Sequence, residues 1–175
     1  MAVSTRSKES TTRTHAPMRR RATMDVITLL KNDHREVKEM FERAERLGER
    51  AGRQRGKLGE QICKALRLHS QFEQEEFYPR FRDRAEDHEE REQLLEALEE
   101  HGIVDRLVSE IEGMDASDER YEAKLMVVIE SVRHHIKEEE REMFPMAREL
   151  FEKAELAEMG ERFVEAKRRE KMPDR

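Results

Sequence analysis

The segment His69-Ser-Gln-Phe-Glu-Gln-Glu-Glu-Phe-Tyr-Pro79 returns in the second half of the chain as His135-Ile-Lys-Glu-Glu-Glu-Arg-Glu-Met-Phe-Pro145. Both copies place a Glu four residues after the His, a second Glu at seven and a Pro at ten. Residues four apart lie on one face of an α-helix, so each copy aims an imidazole and a carboxylate in the same direction. The repeat predicts two similar helical segments that carry the same pair of polar groups.

A single His precedes each copy at almost the same distance. Asp33-His34 lies 35 residues before His69, and Glu100-His101 lies 34 residues before His135. The chain is therefore predicted to form two helical hairpins, each supplying a His and then a His-x-x-x-Glu. Two such hairpins that face each other around a pseudo-twofold axis would enclose a dinuclear metal site.

The spacing of apolar residues predicts where the helices lie. Four long helices are expected at about 25–49, 57–82, 89–111 and 118–144, and a shorter fifth at about 155–167. Pro79 and Pro145 should kink or end the second and fourth. The predicted fold is all-α, an antiparallel up-down four-helix bundle with a short C-terminal helix. The predicted division is a basic disordered tail (1–23), the bundle (24–150), and a C-terminal helix and tail (151–175).

Composition supports this fold and excludes several classes of function. Charged residues make up 43% of the chain and hydrophobic ones 35%, which suits amphipathic helices. Residues 1–23 hold six basic residues against one acidic, so the rest of the chain is acidic and no nucleic-acid partner is expected. No apolar run has the length of a membrane span. Cys63 is the only cysteine, which agrees with a cytoplasmic location.

The N-terminal segment leaves three interpretations open. It lacks hydrophobic periodicity, so we expect residues 1–22 to be disordered. Met24 can be the true start of the protein. Alternatively, the segment is a targeting tail or a weak tether to an anionic surface.

Four histidines occupy the apolar stripes of four different helices: His34, His69, His101 and His135. A single histidine in a core is usually only hydrogen-bonded, but four together, two with a carboxylate in register, favour metal binding. A buried carboxylate such as Glu73 or Glu139 is costly unless a cation compensates it. Imidazole with carboxylate suits iron, and also zinc or manganese. No Glu-x-x-His includes these histidines, which argues against a ferritin-like bundle.

Taken together, Asp33-His34, His69-x-x-x-Glu73, Glu100-His101 and His135-x-x-x-Glu139 resemble the hemerythrin HHE cation-binding domain family, over about residues 24–150. The resemblance implies a left-handed four-helix bundle around two iron ions. It implies four terminal histidine ligands, His34, His69, His101 and His135. It also implies that Glu73 and Glu139 bridge the ions and that dioxygen or peroxide meets an open position.

The sequence departs from the family's oxygen carriers at one position. Where those proteins have a second His one turn after the third-helix His, this chain has Asp105. Asp105 could ligate as a carboxylate, lie next to the ligands, or leave the coordination to water. A more anionic site should favour ferric iron over reversible oxygen carriage. The oxygen carriers' spacing of five would fit His134 with Glu139 or His135 with Glu140, but the repeat favours His135 with Glu139.

Several alternatives remain open at this stage. The protein can bind or sense dioxygen, peroxide, nitric oxide or iron; it can be an enzyme that decomposes peroxide or handles nitric oxide; or it can be a metal-free structural bundle. A monomer and a homodimer are both compatible with the pattern. Glu76 and Glu142 lie near the site or at the surface, while Tyr78 and Phe144 are expected in the core.

Overall fold

The computed structural model describes residues 24–48 and 51–171, where all regular secondary structure is helical. The α-helices are α1 (Val26–Glu45), α2 (Gly52–Phe72), α3 (Tyr78–Arg84), α4 (His88–Glu112), α5 (Tyr121–Glu138), α6 (Phe144–Leu150) and α7 (Lys153–Lys171). The predicted all-α bundle is confirmed, and the predicted disordered tail falls outside the described residues. Within them, no helix combines the length and apolar character that a membrane crossing requires.

Two π-helical turns connect the halves of the second and fourth long helices. The first π-turn, Glu73–Phe77, joins α2 to α3, and the second, Glu139–Met143, joins α5 to α6. Proline lacks the N–H that an α-helix needs, and each proline stands in the first turn of the helix after the π-turn. The wider turn accommodates each proline, so the helix continues past Pro79 and Pro145, where a kink or an end was predicted.

Small residues and caps explain the helix boundaries. Asp25 caps α1 by accepting a hydrogen bond of 2.9 Å from the N–H of Thr28. Asp87 and Glu90 form a reciprocal capping box at the start of α4. α2 begins at Gly52, five residues before the predicted start, because Gly52 and Gly56 are part of the helix.

The apolar core consists of two clusters. The first cluster packs beneath α7 and is rich in aromatic rings, with Phe77, Tyr78, Phe81, Phe144 and Phe163. The second cluster is mainly aliphatic and includes Val37, Leu66, Val104, Val132 and Ile136. A layer of histidine and glutamate side chains lies where the two clusters meet.

The C-terminal helix α7 is part of the packed core. It has 19 residues, close to the 20 of α1, because it continues as a helix well past Phe163, its last residue in the core. Leu156, Met159 and Phe163 are buried in the first cluster. Gly160 allows the close approach to α1, since a Cβ at this position would overlap the carbonyl oxygen of Met24.

Candidate metal centre

All six side chains that the sequence singled out as ligands meet in the middle of the bundle. They are His34 from α1, His69 from α2, His101 from α4, His135 from α5, and Glu73 and Glu139 from the π-turns. Five of them are buried, and His69 is 12% exposed. The two carboxylates are the first residues of the π-turns, so both backbone irregularities lie at the site, as such turns often do.

The histidines form two pairs. Nε2 of His34 lies 3.1 Å from Nε2 of His69, which we call the first pair. Nε2 of His101 lies 3.0 Å from Nε2 of His135, the second pair. A neutral imidazole that carries its proton on Nδ1 presents a lone pair at Nε2, so two facing Nε2 atoms at this distance suit ligands that converge on a common cation.

The two carboxylates lie between the pairs. Oε1 of Glu73 is 3.0 Å from Nε2 of His69 in the first pair, and Oε2 is 3.3 Å from Nε2 of His101 in the second. Oε2 of Glu139 is 3.3 Å from Nε2 of the α1 histidine and 3.7 Å from Nε2 of the α5 histidine. At the centre, ligand atoms within 4.8 Å of one another form two groups, and Glu73 belongs to both. A third such group in the described residues, Glu100, His134 and Glu138, is partly exposed and contains none of the six candidate ligands.

The electrostatics of the site call for positive charge. Both oxygens of Glu73 and Oε2 of Glu139 are buried and receive no hydrogen bond from the described residues. Burial opposes protonation of His69, yet the adjacent carboxylates of Glu73 and Asp33 raise its pKa to about 10. The donor set therefore fits a metal cation, which supplies the charge that these carboxylates lack.

Each histidine has a polar partner at its second ring nitrogen. The contacts from Nδ1 are His34 to Glu140 Oε1 (3.0 Å), His69 to Asp33 Oδ2 (3.7 Å), His101 to Ser70 Oγ (2.9 Å) and His135 to Glu100 Oε2 (2.8 Å). The carboxylates of Glu140 and Glu100 accept from Nδ1, which fixes the ring orientation and leaves Nε2 available as a ligand atom. Asp33 is too far from Nδ1 of His69 for a hydrogen bond. Asp33 and Glu100 belong to the sequence motifs, but the sequence predicted none of these contacts.

The structure also shows which fourth-helix spacing faces the site. His135 and Glu139 point into it, whereas His134 is 62% exposed. Glu140 lies outside the donor groups, where the imidazole of His34 and the ammonium of Lys38 hold its pKa at about 2. The structure therefore brings together the pair that the repeat register favours.

Asp105 lies outside both donor groups. Its Oδ1 is 3.2 Å from Nη1 of Arg67, and its Oδ2 accepts a hydrogen bond of 3.2 Å from Nε2 of Gln74. The same Gln74 nitrogen is 3.2 Å from Nδ1 of His101. Of the three roles considered for Asp105, this placement corresponds to a position next to the candidate ligands.

Tyr78 lies at the candidate centre, which its sequence position did not predict. It is buried as expected, but its hydroxyl lies 2.9 Å from Nε2 of His101 and donates to Oε1 of Glu139 at 3.3 Å. Burial and the nearby Glu139 carboxylate raise the pKa of Tyr78 well above its ordinary value, so the phenol keeps its proton. Phe144 holds the matching position of the repeat and stacks on His34, with ring centroids 5.6 Å apart.

The second glutamate of each repeat lies at the surface. Glu76 pairs with Arg162 at 3.3 Å, and Glu142 pairs with Arg141. Neither belongs to a donor group of the described residues. Of the two placements considered for these glutamates, the surface is the one observed.

Comparison with known proteins gives two matches. The family model described as the hemerythrin HHE cation binding domain matches residues 25–147. A hemerythrin HHE cation binding domain-containing protein from Mycobacterium kansasii has a similar solved structure, with a TM-score of 0.68 and 22% identity, covering 83% of this chain and 86% of that chain. At this identity the likeness shows a shared fold. No curated protein matches the chain.

Proposed function

The chain belongs to the hemerythrin HHE cation-binding domain family, and from this premise we propose that it holds two iron ions in a non-haem centre. The proposed terminal ligands are the first pair, His34 and His69, on one ion and the second pair, His101 and His135, on the other. Glu73 and Glu139 are the proposed bridges. One observation carries the assignment: the two oxygens of Glu73 lie within 3.3 Å of histidines from different pairs.

Charge and donor chemistry support this choice of ions. Two divalent ions bring four positive charges, of which the Glu73 and Glu139 carboxylates neutralise two. The remaining charge favours an additional oxygen ligand. Imidazole nitrogen with carboxylate oxygen suits iron, and Cys63, the only thiol, is buried in the second apolar cluster.

The proposed activity is binding or sensing of dioxygen, peroxide or nitric oxide at this centre. Bound iron would supply a reversible change of oxidation state and coordination positions for a small oxygen or nitrogen donor. The chain closes one side of the centre: the rings of Phe144 and Tyr78 cover it on the side of the first cluster. Glu100 and Glu140 hold the rings of His135 and His34 in place through their Nδ1 atoms.

A second candidate function, peroxide decomposition, is favoured by Tyr78. Its protonated hydroxyl places a proton donor 2.9 Å from Nε2 of His101 inside a buried site. A positioned acid of this kind assists reactions in which an oxygen atom leaves as water. Tyr78→Phe should retain the metal and lower the rate of oxygen release from hydrogen peroxide. An unchanged rate, or a rate no faster than that of free iron, would remove this candidate.

The first test of the proposed function is metal content together with the ultraviolet-visible spectrum, after expression in iron-supplemented cells. We expect about two irons per chain and charge-transfer absorption, both lost in Glu73→Gln, because a neutral amide cannot replace a bridging carboxylate. Glu76→Gln is the matched control, since Glu76 lies at the surface on the same π-turn and pairs with Arg162. Stoichiometric zinc or manganese would overturn the iron assignment. A folded protein without stoichiometric metal would overturn the whole proposal.

A further inference from the structure

A cavity of about 380 Å³ adjoins the candidate metal centre on the side of the second apolar cluster. Part of its wall is formed by the imidazoles of all four candidate ligand histidines. The apolar part of the wall consists of Val37, Met40, Ala65, Leu66, Leu68, Val104, Val132 and Ile136. Glu36 and Lys64 also line the cavity and are exposed, so the cavity reaches the surface between α1 and α2.

The apolar wall follows a regular pattern relative to the histidines. Val37 and Val104 stand three residues after their ligand histidine, while Leu66 and Val132 stand three residues before theirs. Since neighbouring helices run in opposite directions, all four residues extend one turn from the centre toward the same end of the bundle.

The opposite side of the centre is filled. There the ring of Phe144 stacks on His34 and the ring of Tyr78 packs edge-on against His101. The centre is thus closed by aromatic rings on one side and faces open space on the other. Longer side chains in place of the three valines would fill that space, and an unfilled apolar cavity costs folding free energy.

The size of the cavity exceeds what a diatomic ligand needs. One water molecule takes about 30 Å³ in the liquid, so the cavity has room for roughly twelve groups of that size. Its volume lies in the range of about 300–1,000 Å³ that is usual for sites of small organic ligands. An eight-carbon body with one polar head therefore fits.

The charges at the cavity indicate where such a head would lie. Around the mouth, Lys64 and Lys167 are balanced by Asp33 and Glu36, so the rim has no net preference for an ion. At the inner end, two divalent ions would outweigh the two carboxylates and attract an oxygen donor. The apolar wall between these ends suits a hydrocarbon body.

We propose that this cavity binds a small organic ligand with an apolar body of about eight carbon atoms and one oxygen-donor head facing the metal centre. Among the peroxides that the proposed function allows, the cavity favours an organic hydroperoxide over hydrogen peroxide. The inference rests on the proposed function for the position of the head, whereas the apolar body depends only on the cavity wall.

The test uses straight-chain carboxylates as unreactive stand-ins for the hydroperoxide. Calorimetric titration of the metal-loaded protein with acetate, butyrate, hexanoate and octanoate should show affinity rising about fourfold per methylene group. Ala65→Phe should abolish this rise without changing acetate affinity or metal content, because Ala65 lines the cavity and is only half-buried. Ala123→Phe, on the exposed face of α5, should behave as wild type. Val132→Leu, a smaller change in the wall, should lower octanoate affinity more than acetate affinity.

Two further measurements separate this inference from the proposed function. Cumene hydroperoxide should displace octanoate from the loaded protein at a lower concentration than hydrogen peroxide does. In metal-free protein, octan-1-ol should raise the Tm of wild type but not of Ala65→Phe. The cavity inference is overturned if affinity does not depend on chain length, or if octan-1-ol raises the Tm of Ala65→Phe as much as that of wild type. In either case, normal iron loading leaves the proposed function intact. Failure to load metal overturns the proposed function, and the octan-1-ol measurement still decides whether the cavity takes an apolar body.

Discussion

Replacing Gly160 with Ala tests how closely α7 packs on the start of α1. A Cβ at Gly160 would overlap the carbonyl oxygen of Met24 and lie 3.2 Å from the amide nitrogen of Val26. Both neighbours are backbone atoms, which cannot rotate away as a flexible side chain does. At Gly102 in α4, by contrast, a Cβ would meet nothing within 4 Å.

The comparison of these two glycines isolates the cost of overpacking. Gly→Ala inside a helix gains about 1 kcal/mol from helix propensity, and this gain applies to both variants. Overpacking costs about 1–3 kcal/mol and applies to Gly160→Ala alone. Gly102→Ala should therefore raise the free energy of unfolding by about 1 kcal/mol. Gly160→Ala should lie below it by about 1–3 kcal/mol, toward the upper end because backbone must move.

Urea unfolding followed by far-ultraviolet circular dichroism measures both values in the metal-free protein. The slope with urea must match wild type in both variants for the comparison to hold, because a changed slope indicates a changed unfolded or native state. Equal stabilisation of the two variants would refute the reasoning, since it would mean that α7 does not approach α1 as closely as the structure shows.

Three other predictions concern the centre and the lone thiol. Metal at a thousand times its dissociation constant should stabilise the wild type by about 4 kcal/mol in thermal unfolding, and Glu73→Gln should lose most of this gain while Glu76→Gln keeps it. Asp105→Ala should leave the metal content unchanged in elemental analysis, because Asp105 contacts Arg67 and lies outside both donor groups at the centre. Loss of half the metal would show that Asp105 is a ligand. Burial and the nearby Glu112 raise the pKa of Cys63 to about 11, so about one thiol in a thousand is ionised at pH 8. Ellman's reagent should therefore label the folded protein far more slowly than the urea-unfolded one. Equal labelling rates would contradict the burial of Cys63.

The convergence of the candidate ligands could be predicted because it depends on local periodicity. A spacing of four residues fixes His69 and Glu73 on one helix face whatever surrounds them. The repeat then implies the same for His135 and Glu139, and the four apolar stripes bring the faces together. The all-α fold followed from the same spacing, and the structure confirms it.

The features that escaped prediction depend on tertiary structure. Pro79 signals an interruption, but whether the helix ends, kinks or widens into a π-turn is decided by packing around it. At the end of the π-turn Phe77 and Tyr78 are both buried, and the Tyr78 hydroxyl lies beside Nε2 of His101. Partners such as Glu140 and Ser70 lie in charged or polar stretches where nothing in the sequence distinguishes them from neighbouring surface residues.

The aromatic residues after the two π-turns make the two halves of the centre different, although the scaffold around them is a repeat. Tyr78 and Phe144 hold equivalent positions, and the hydroxyl makes the two half-sites chemically different. One ion would face a protic group and the other a bare ring, so the two should differ in affinity and in reduction potential. Filling would then proceed in a fixed order, and a mixed pair of metals would settle in one arrangement rather than two.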